Sequence, residues 1–129
     1  MFRVVAAIIK NKDNKYLLVA SKKDFDQFSG CYYPPAGKLK IGENDFDCLK
    51  RELQEELGLN LLAAKFITET SGDVKEQITA WYNCIVEDYN FSINESELAQ
   101  ADYFNLEDIK KLNLWPATKN FFSIYIFEN

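Results

Sequence analysis

The 129-residue chain contains no histidine, and this absence excludes several kinds of active site. A serine–histidine–aspartate triad, a cysteine–histidine pair and imidazole metal ligands all require that side chain. Any acid–base or metal chemistry must therefore come from carboxylates, lysines, tyrosines or thiols. The chain has 20 aspartates and glutamates, so carboxylates are the first candidates.

Cysteine is scarce, and long apolar runs are absent. Cys31, Cys48 and Cys84 are odd in number and widely spaced, which favours free thiols in a reducing cytoplasm over disulfides or a zinc site. No apolar stretch approaches the roughly 20 residues of a membrane span. Segment 1–14 lacks a small-residue cleavage site, so we predict a first strand there and not a signal peptide.

Basic charge is also in deficit. Lysine and arginine total 15, and the net charge is -5. This balance argues against binding along a DNA or RNA backbone, but it leaves room for a small anion held through a metal ion. Hydrophobic residues make up 47% of the chain, enough for a core, and we expect one domain over residues 1–129.

Hydrophobic periodicity predicts a mixed α/β (α+β) fold. The pattern indicates strands at 2–9 and 16–20 that pair as a hairpin about the turn at 11–15. The remaining predicted segments are extended pieces at 31–37, 61–70 and 77–87, a polar loop at 87–97, a short strand at Tyr103 and Phe104, a short helix at 105–112 and a last helix from Pro116. Phe121, Ile124 and Tyr125 form the apolar stripe of that last helix.

The clearest helix is predicted from Asn44 to Leu57. Its apolar face is formed by Phe46, Leu49, Leu53 and Leu57, which recur at intervals of three or four residues. Asn44 is a typical N-terminal cap, and Gly58 is a typical residue after the last turn.

Three glutamates crowd the opposite face of this helix. Glu52, Glu55 and Glu56 are spaced i, i+3 and i+4, so their like charges repel, and they lie at the negative end of the helix dipole. One interpretation is a solvated acidic face, with Lys50 and Arg51 forming weak surface pairs. The other is a site for a hard divalent cation such as Mg²⁺ or Mn²⁺, which prefers oxygen ligands.

The spacing around the glutamates is highly specific. In "GKLKIGENDFDCLKRELQEELGL" (37–59), Gly37 precedes Glu43 by six positions, and the run from Arg51 to Leu59 reads R-E-L-x-E-E-x-G-L. This pattern resembles the complete signature of the Nudix hydrolases. Weaker likeness at 32–38, 77–87, 97–109 and 115–122 extends the resemblance over nearly the whole chain, to the small MutT-type members.

The resemblance implies a fold and an activity. The fold would be an α/β/α sandwich with a mixed β-sheet between helices. The activity would be metal-dependent cleavage of the diphosphate linkage in a nucleoside diphosphate derivative, above all a nucleoside triphosphate cleaved to the monophosphate and pyrophosphate. Dinucleoside polyphosphates, nucleotide sugars or RNA 5′ ends remain alternatives, as does a non-catalytic nucleotide-sensing module.

The resemblance also assigns roles to individual residues. Glu52, Glu55, Glu56 and the carbonyl of Gly37 would hold Mg²⁺ or Mn²⁺, and Glu43 and Arg51 would orient those ligands. The residues expected to act in catalysis are Glu55, Glu97 and Arg51, with Glu95 as an alternative to Glu97 for the general base.

Candidates for substrate binding are Lys22, Tyr33, Lys38 and Thr118. Lys23, Tyr32, Trp81 and Trp115 are further candidates, although Trp81 is equally suited to the core. Thr118 matches the position of an asparagine that reads the base in members acting on oxidised guanine. Threonine cannot make the same paired contacts, which argues against that specificity. The small-molecule partner would be a nucleotide. The resemblance is also compatible with a homodimer, since members of the family commonly form one.

Overall fold

The computed structural model describes residues 2–127, in which seven strands and three helices follow the chain. In order they are β1 (Phe2–Ile8), β2 (Tyr16–Ser21), β3 (Tyr32–Tyr33), β4 (Ala36–Lys38), α1 (Asp45–Leu57), β5 (Leu61–Ser71), β6 (Gln77–Val86), β7 (Leu98–Phe104), α2 (Leu106–Ile109) and α3 (Pro116–Tyr125). A single 3₁₀ turn at Asp26–Phe28 interrupts the loop between β2 and β3.

The strands divide between two sheets. The first is mixed and has the order β4-β1-β6-β5, with β1 parallel to β6 and the other pairs antiparallel. The second is antiparallel and has the order β3-β2-β7. The predicted hairpin is therefore wrong. Lys10 and Tyr16 form one bridge at the turn, after which β1 and β2 separate into different sheets.

The core lies on both faces of the strands, because alternate residues of β1 point in opposite directions. Val5 and Ala7 pack in a cluster with Leu49, Leu53 and Leu57 of α1. On the other face, Ala6 and Ile8 pack with residues of α3, namely Phe121 and Phe122. The mixed sheet lies between two helical layers, which confirms the predicted fold class.

The two predicted apolar faces need one correction each. Phe46, in the first turn of α1, is 38% exposed, and Cys48 takes the buried position instead. In α3, Ile124 is 63% exposed, while Thr118 and Phe122 are buried beside Phe121. In both helices the buried face is rotated by part of a turn relative to the predicted stripe.

Both predicted ends of α1 are present. The Asn44 carboxamide oxygen accepts the backbone N–H of Asp47 at 2.8 Å, which caps the first turn. Gly58 ends the helix with φ 64°, a left-handed conformation that glycine adopts without a Cβ penalty. Among the described helices, none is long and apolar enough to cross a membrane.

Candidate active site

The glutamates of α1 lie beside β4, and Glu56 is the most deeply placed of them. Its Oε2 atom is buried and has no hydrogen-bond partner among residues 2–127. Burial, together with the charges of Glu52, Glu97 and Glu55, raises the pKa of Glu56 to about 8. A buried carboxylate oxygen without a partner is costly to the fold, so this atom fits a position that a cation completes.

Arg51 joins the predicted acidic residues into one network. Its Nε and Nη2 atoms donate to both oxygens of Glu43 at 2.7 and 2.8 Å. Its Nη1 donates to Glu52 at 2.8 Å and to Glu55 at 3.4 Å. The Arg51 pair is the main reason that the pKa of Glu43 falls to about 2. One guanidinium therefore contacts three of the four carboxylates.

Gly37 lets the backbone of β4 pass directly over Glu52. A Cβ added at Gly37 would lie 2.1 Å from Cγ of Glu52, a distance that no side chain tolerates. The carbonyl of Gly37 is also within 3.7 Å of the Cys48 thiol on α1. Glycine is needed here for close approach between a strand and a helix, which places the Gly37 backbone next to the carboxylates.

The donor set fits a hard divalent cation. It offers carboxylate oxygens and no imidazole, beside the partnerless Glu56 oxygen and the glycine cradle. Within the described residues, no three acidic or thiol side chains already converge as a metal-binding group. Glu52 and Glu55 both contact Arg51, and the Glu55 side chain is 53% exposed.

The polar loop between β6 and β7 is attached to the end of α1. Its backbone N–H groups at Ser92 and Asn94 donate to the carbonyls of Leu57 and Glu56 at 3.0 and 2.8 Å. The Asn94 side chain donates to the carbonyl of Glu55 at 3.3 Å. These bonds satisfy carbonyls that a helix leaves unpaired in its last turn.

Glu97 follows this attachment and lies close enough for its charge to raise the pKa of both Glu56 and Tyr33. The structure thus brings Glu97 to the predicted carboxylates. The backbone of this stretch is also bonded to Lys22, just after β2: the carbonyl of Glu95 accepts Lys22 Nζ at 2.8 Å, and the carbonyl of Glu97 accepts the Lys22 backbone N–H at 3.1 Å.

A cavity of about 420 Å³ opens on the opposite side of β4 from α1. Its lining includes three of the predicted substrate residues, Tyr33, Lys38 and Thr118, and also Gly37. Lys22 does not line it, whereas Lys23 does. Tyr33 lies between the cavity and the glutamates, and burial followed by the Glu56 charge raises its pKa to about 12.

Aromatic rings form one wall and the floor of this cavity. Trp115 contacts Phe25 edge-on, with 5.2 Å between ring centroids, and both rings line the cavity. Trp81 is only 2% exposed; it stacks on Phe121 at 4.2 Å and donates its N–H to Thr70. Trp81 is therefore a core residue whose edge reaches the floor.

A comparison with protein-family models matches the NUDIX domain over residues 1–123. The chain belongs to the NUDIX family. The match covers almost all of the chain and includes every residue of the acidic site. It confirms the resemblance in the 37–59 segment and the prediction of a hydrolase.

Individual NUDIX relatives agree with this membership. The chain is 29% identical to the CTP pyrophosphohydrolase of Escherichia coli strain K12, over 91% of this chain and 85% of that protein. It is 30% identical to the nucleoside triphosphatase NudI of Escherichia coli O139:H28, over 90% of each chain. The crystal structure of a MutT protein from Methanosarcina mazei superposes with a TM-score of 0.84 at 21% identity, covering 99% and 94% of the two chains, and shows the shared NUDIX fold.

Several cavity and loop residues of this NUDIX domain carry no recognisable signal in the sequence. Asn94 stands in a polar loop, where asparagine is common in any turn. Asp73 and Gln77 flank the tip of the β5–β6 hairpin and line the cavity, yet neither belongs to a spaced motif. Trp115 was a predicted candidate, and the aromatic character of Phe25 beside it is a further cue to a binding surface.

Proposed function

We propose that the chain is a divalent-metal-dependent pyrophosphohydrolase that converts a nucleoside triphosphate to the monophosphate and pyrophosphate. The observation that supports this best is the buried, partnerless oxygen of Glu56, next to Gly37 and the Arg51 network. The names of the two Escherichia coli relatives, a CTP pyrophosphohydrolase and a nucleoside triphosphatase, favour this substrate class over the alternatives.

Glu52, Glu55, Glu56 and the Gly37 carbonyl would hold Mg²⁺ or Mn²⁺. When bound, such an ion neutralises charge on the phosphates and lowers the pKa of a bound water. Glu43 and Arg51 would orient the ligands, because the Arg51 guanidinium fixes Glu52 directly and is itself held by both oxygens of Glu43.

Glu97 is the proposed general base, with Glu55 and Arg51 acting on the phosphates or the attacking water. Glu97 is exposed in a loop, but the bonds from Ser92 and Asn94 to α1 hold that loop against the glutamates. A base must lie within hydrogen-bond reach of the water it activates, directly or through one further water. We favour Glu97 over Glu95 because the charge of Glu97 raises the pKa of Glu56, which brings its carboxylate near the site.

The nucleotide would lie in the cavity, with its phosphates toward Gly37 and Lys38. Tyr33 would separate the phosphate end from the core, and Thr118 would form part of the inner wall. The structure favours Lys23 over Lys22 as the second cation that meets substrate. We further propose that residues 1–129 act as one domain in the cytoplasm, and that a homodimer is the state to test.

Mg²⁺-dependent turnover tests this proposal directly. The screen covers nucleoside triphosphates, dinucleoside polyphosphates, nucleotide sugars and 5′-triphosphate RNA, and phosphate is measured with and without added pyrophosphatase. We expect phosphate from nucleoside triphosphates only when pyrophosphatase is present. Glu56→Gln should lower the rate at least about a hundredfold, because the site loses a charged ligand.

Glu107→Gln is the matched control, since the Glu107 side chain is 79% exposed and its ion pair among residues 2–127 is with Lys110 at the surface. It should turn over as fast as the wild type. Equal rates for Glu56→Gln and wild type would contradict the proposed site. Tight nucleotide binding without any turnover would instead support the sensing module.

A further inference from the structure

The tip of the β5–β6 hairpin reaches the cavity through Asp73. One carboxylate oxygen, Oδ1, accepts the backbone N–H of Ala117 at 2.9 Å, in the first turn of α3. Trp115, at the N-terminal cap position of that helix, provides no side-chain cap bond. Asp73 therefore caps α3 from a distant segment, and this bond fixes where its carboxylate stands.

The second oxygen of Asp73 is not used by the fold. Oδ2 has no hydrogen bond and no ion pair within the part of the chain that the structure describes, and Asp73 lines the cavity. Partial desolvation at the α3 end raises the pKa of this carboxyl above its ordinary value, although the residue as a whole is exposed. A helix cap alone needs one acceptor, so the free oxygen is available to a ligand.

The position of Asp73 indicates which part of a nucleotide it would meet. The phosphate end of the cavity is at Gly37 on β4, and Asp73 joins β5 to β6 on the far side of the same sheet. Neighbouring strands are about 4.8 Å apart, so the two places are about 10 to 14 Å apart across the sheet. Gly37 is level with Ala80 of β6 through Val5. Ala80 is three residues from Gln77 at the hairpin end, which adds about 10 Å along the strands. The ribose adjoins the phosphates, and the base is the part that extends this far.

The surroundings of Asp73 suit a base. Trp115, two residues before the N–H that Asp73 caps, offers an aromatic surface to the cavity together with Phe25. Gln77 also lines the cavity, and its Nε2 atom is bonded to Thr79 at 3.1 Å, which leaves its carbonyl oxygen as a further acceptor. A base stacked on this wall would present its edge to acceptors.

We propose that Asp73 selects nucleotides whose base carries an exocyclic amino group, by accepting a hydrogen bond from that group through Oδ2. The inference rests on the proposed nucleotide hydrolase function. Cytosine presents an amino donor where uracil presents an oxygen, and a carboxylate oxygen repels the latter. Asp73 is exposed to solvent, so the discrimination comes from the lost hydrogen bond and from repulsion between the carboxylate and the uracil oxygen, and we expect it to be on the order of tenfold.

Asp73→Asn is the deciding variant. Asparagine keeps an acceptor for the Ala117 N–H, so α3 stays capped, but it replaces the free acceptor with an N–H₂ donor. The measurement is kcat/KM for CTP against UTP, and for ATP and GTP each against ITP. We expect the wild type to prefer the amino base in at least one pair, and Asp73→Asn to reduce that ratio at least about tenfold.

Glu76→Gln is the matched control, because it removes one negative charge from the same hairpin without touching the cavity. It should keep the wild-type ratio. Three results would overturn the proposal: no preference for an amino base in any pair, an unchanged ratio in Asp73→Asn, or an equal loss for both members of a pair. The last result would indicate a ribose contact or a structural role.

A binding measurement separates this inference from the proposed function. Calorimetric titration with non-hydrolysable α,β-methylene analogues of CTP and UTP gives the same ratio without turnover. If the wild type hydrolyses nothing but binds the CTP analogue at least about tenfold tighter, and Asp73→Asn loses that difference, the selection by Asp73 stands while the hydrolase proposal fails. Failure to bind either analogue would overturn the selection as well.

Discussion

At the residue scale, Arg51 explains how α1 accommodates so many like charges. The guanidinium forms a two-point contact with Glu43 and reaches Glu52 and Glu55 with the remaining nitrogen. Its Nη2 also donates to the Lys38 carbonyl at 3.2 Å. A planar fork with five donors can serve these acceptors together, and an ammonium group cannot. The cluster is therefore stabilised by a cation that is part of the protein.

This geometry predicts the effect of Arg51→Lys. Lysine keeps the charge but loses the paired contact with Glu43, so Glu52 is held less firmly. We expect kcat to fall about 10- to 100-fold and half-saturation to require more Mg²⁺. Steady-state kinetics across a Mg²⁺ titration would show this, with circular dichroism confirming the fold. Lys50→Arg, at the neighbouring exposed position, should behave as wild type, and matching Mg²⁺ curves for Arg51→Lys would contradict the role.

Residues in a spaced motif could be predicted from the sequence, and isolated ones could not. The contacts between Arg51 and the glutamates follow the 37–59 pattern. Lys22, Lys23 and Lys38 were all candidates for contact with substrate, and of these Lys23 and Lys38 line the cavity. A register shift lies just before Lys22, between Ala20 and Ser21, and a shift of one residue moves side chains to the opposite face. The role of Asp73 as a helix cap could not be predicted from the sequence, because its partner Ala117 lies 44 residues away.

At the scale of elements, the site depends on the packing of β4 against α1. The Gly37 backbone lies on the Glu52 side chain so closely that an added Cβ would fall 2.1 Å from Cγ. Non-bonded carbon atoms prefer about 3.5 to 4.0 Å, so strand or side chain must move by about 1.5 Å or more. The contact therefore sets the position of Glu52 relative to the strand.

Gly37→Ala should consequently weaken metal binding more than it weakens the fold. We expect the Mg²⁺ concentration for half-maximal activity to rise at least about tenfold, because a ligand carboxylate is displaced. Gly42→Ala is the control: nothing lies within 4 Å of its added Cβ, but its φ of 86° is strained for alanine. That variant should cost about 1 kcal/mol of stability and keep the wild-type Mg²⁺ response. The opposite ranking of the two variants would count against this account.

Element types could be read from the sequence better than strand partners. The turn at 11–15 is local, and it forms as predicted. The partners of β1 are not local, because the residues that pair with it in β4 and β6 lie 30 or more positions away along the chain. A signal was present in the buried run from Val5 to Ile8, since a strand covered on both faces is typical of an interior, partly parallel position. That signal indicates burial, but it does not identify the strands that pair with β1.

At the scale of the whole molecule, the absence of histidine allows the titration of Glu56 to be followed in the pH dependence of the free energy of unfolding. No side chain of this protein has an ordinary pKa between those of carboxyls and thiols. Glu56 titrates inside that gap when folded, because its pKa rises from 4.5 to about 8. Glu43 and Asp45 have lowered pKa values, so they change charge at more acid pH. The pKa values of three other groups are raised to about 12, so they change charge at more alkaline pH: Tyr33, Cys48 and Cys84.

The metal-free protein should therefore lose stability as pH rises from about 5 to about 8. Folded Glu56 holds its proton in this window and the unfolded carboxyl does not, so unfolding releases a proton and becomes easier at higher pH. We expect a loss on the order of 2 kcal/mol, measured by urea denaturation in EDTA at a series of pH values. Glu56→Gln should flatten the curve and be more stable than wild type at pH 8, because a neutral amide replaces the buried charge, while Glu107→Gln should keep the wild-type slope. A wild-type free energy of unfolding that does not change with pH would contradict the raised pKa of Glu56. An unchanged slope in Glu56→Gln would show that another group causes the pH dependence.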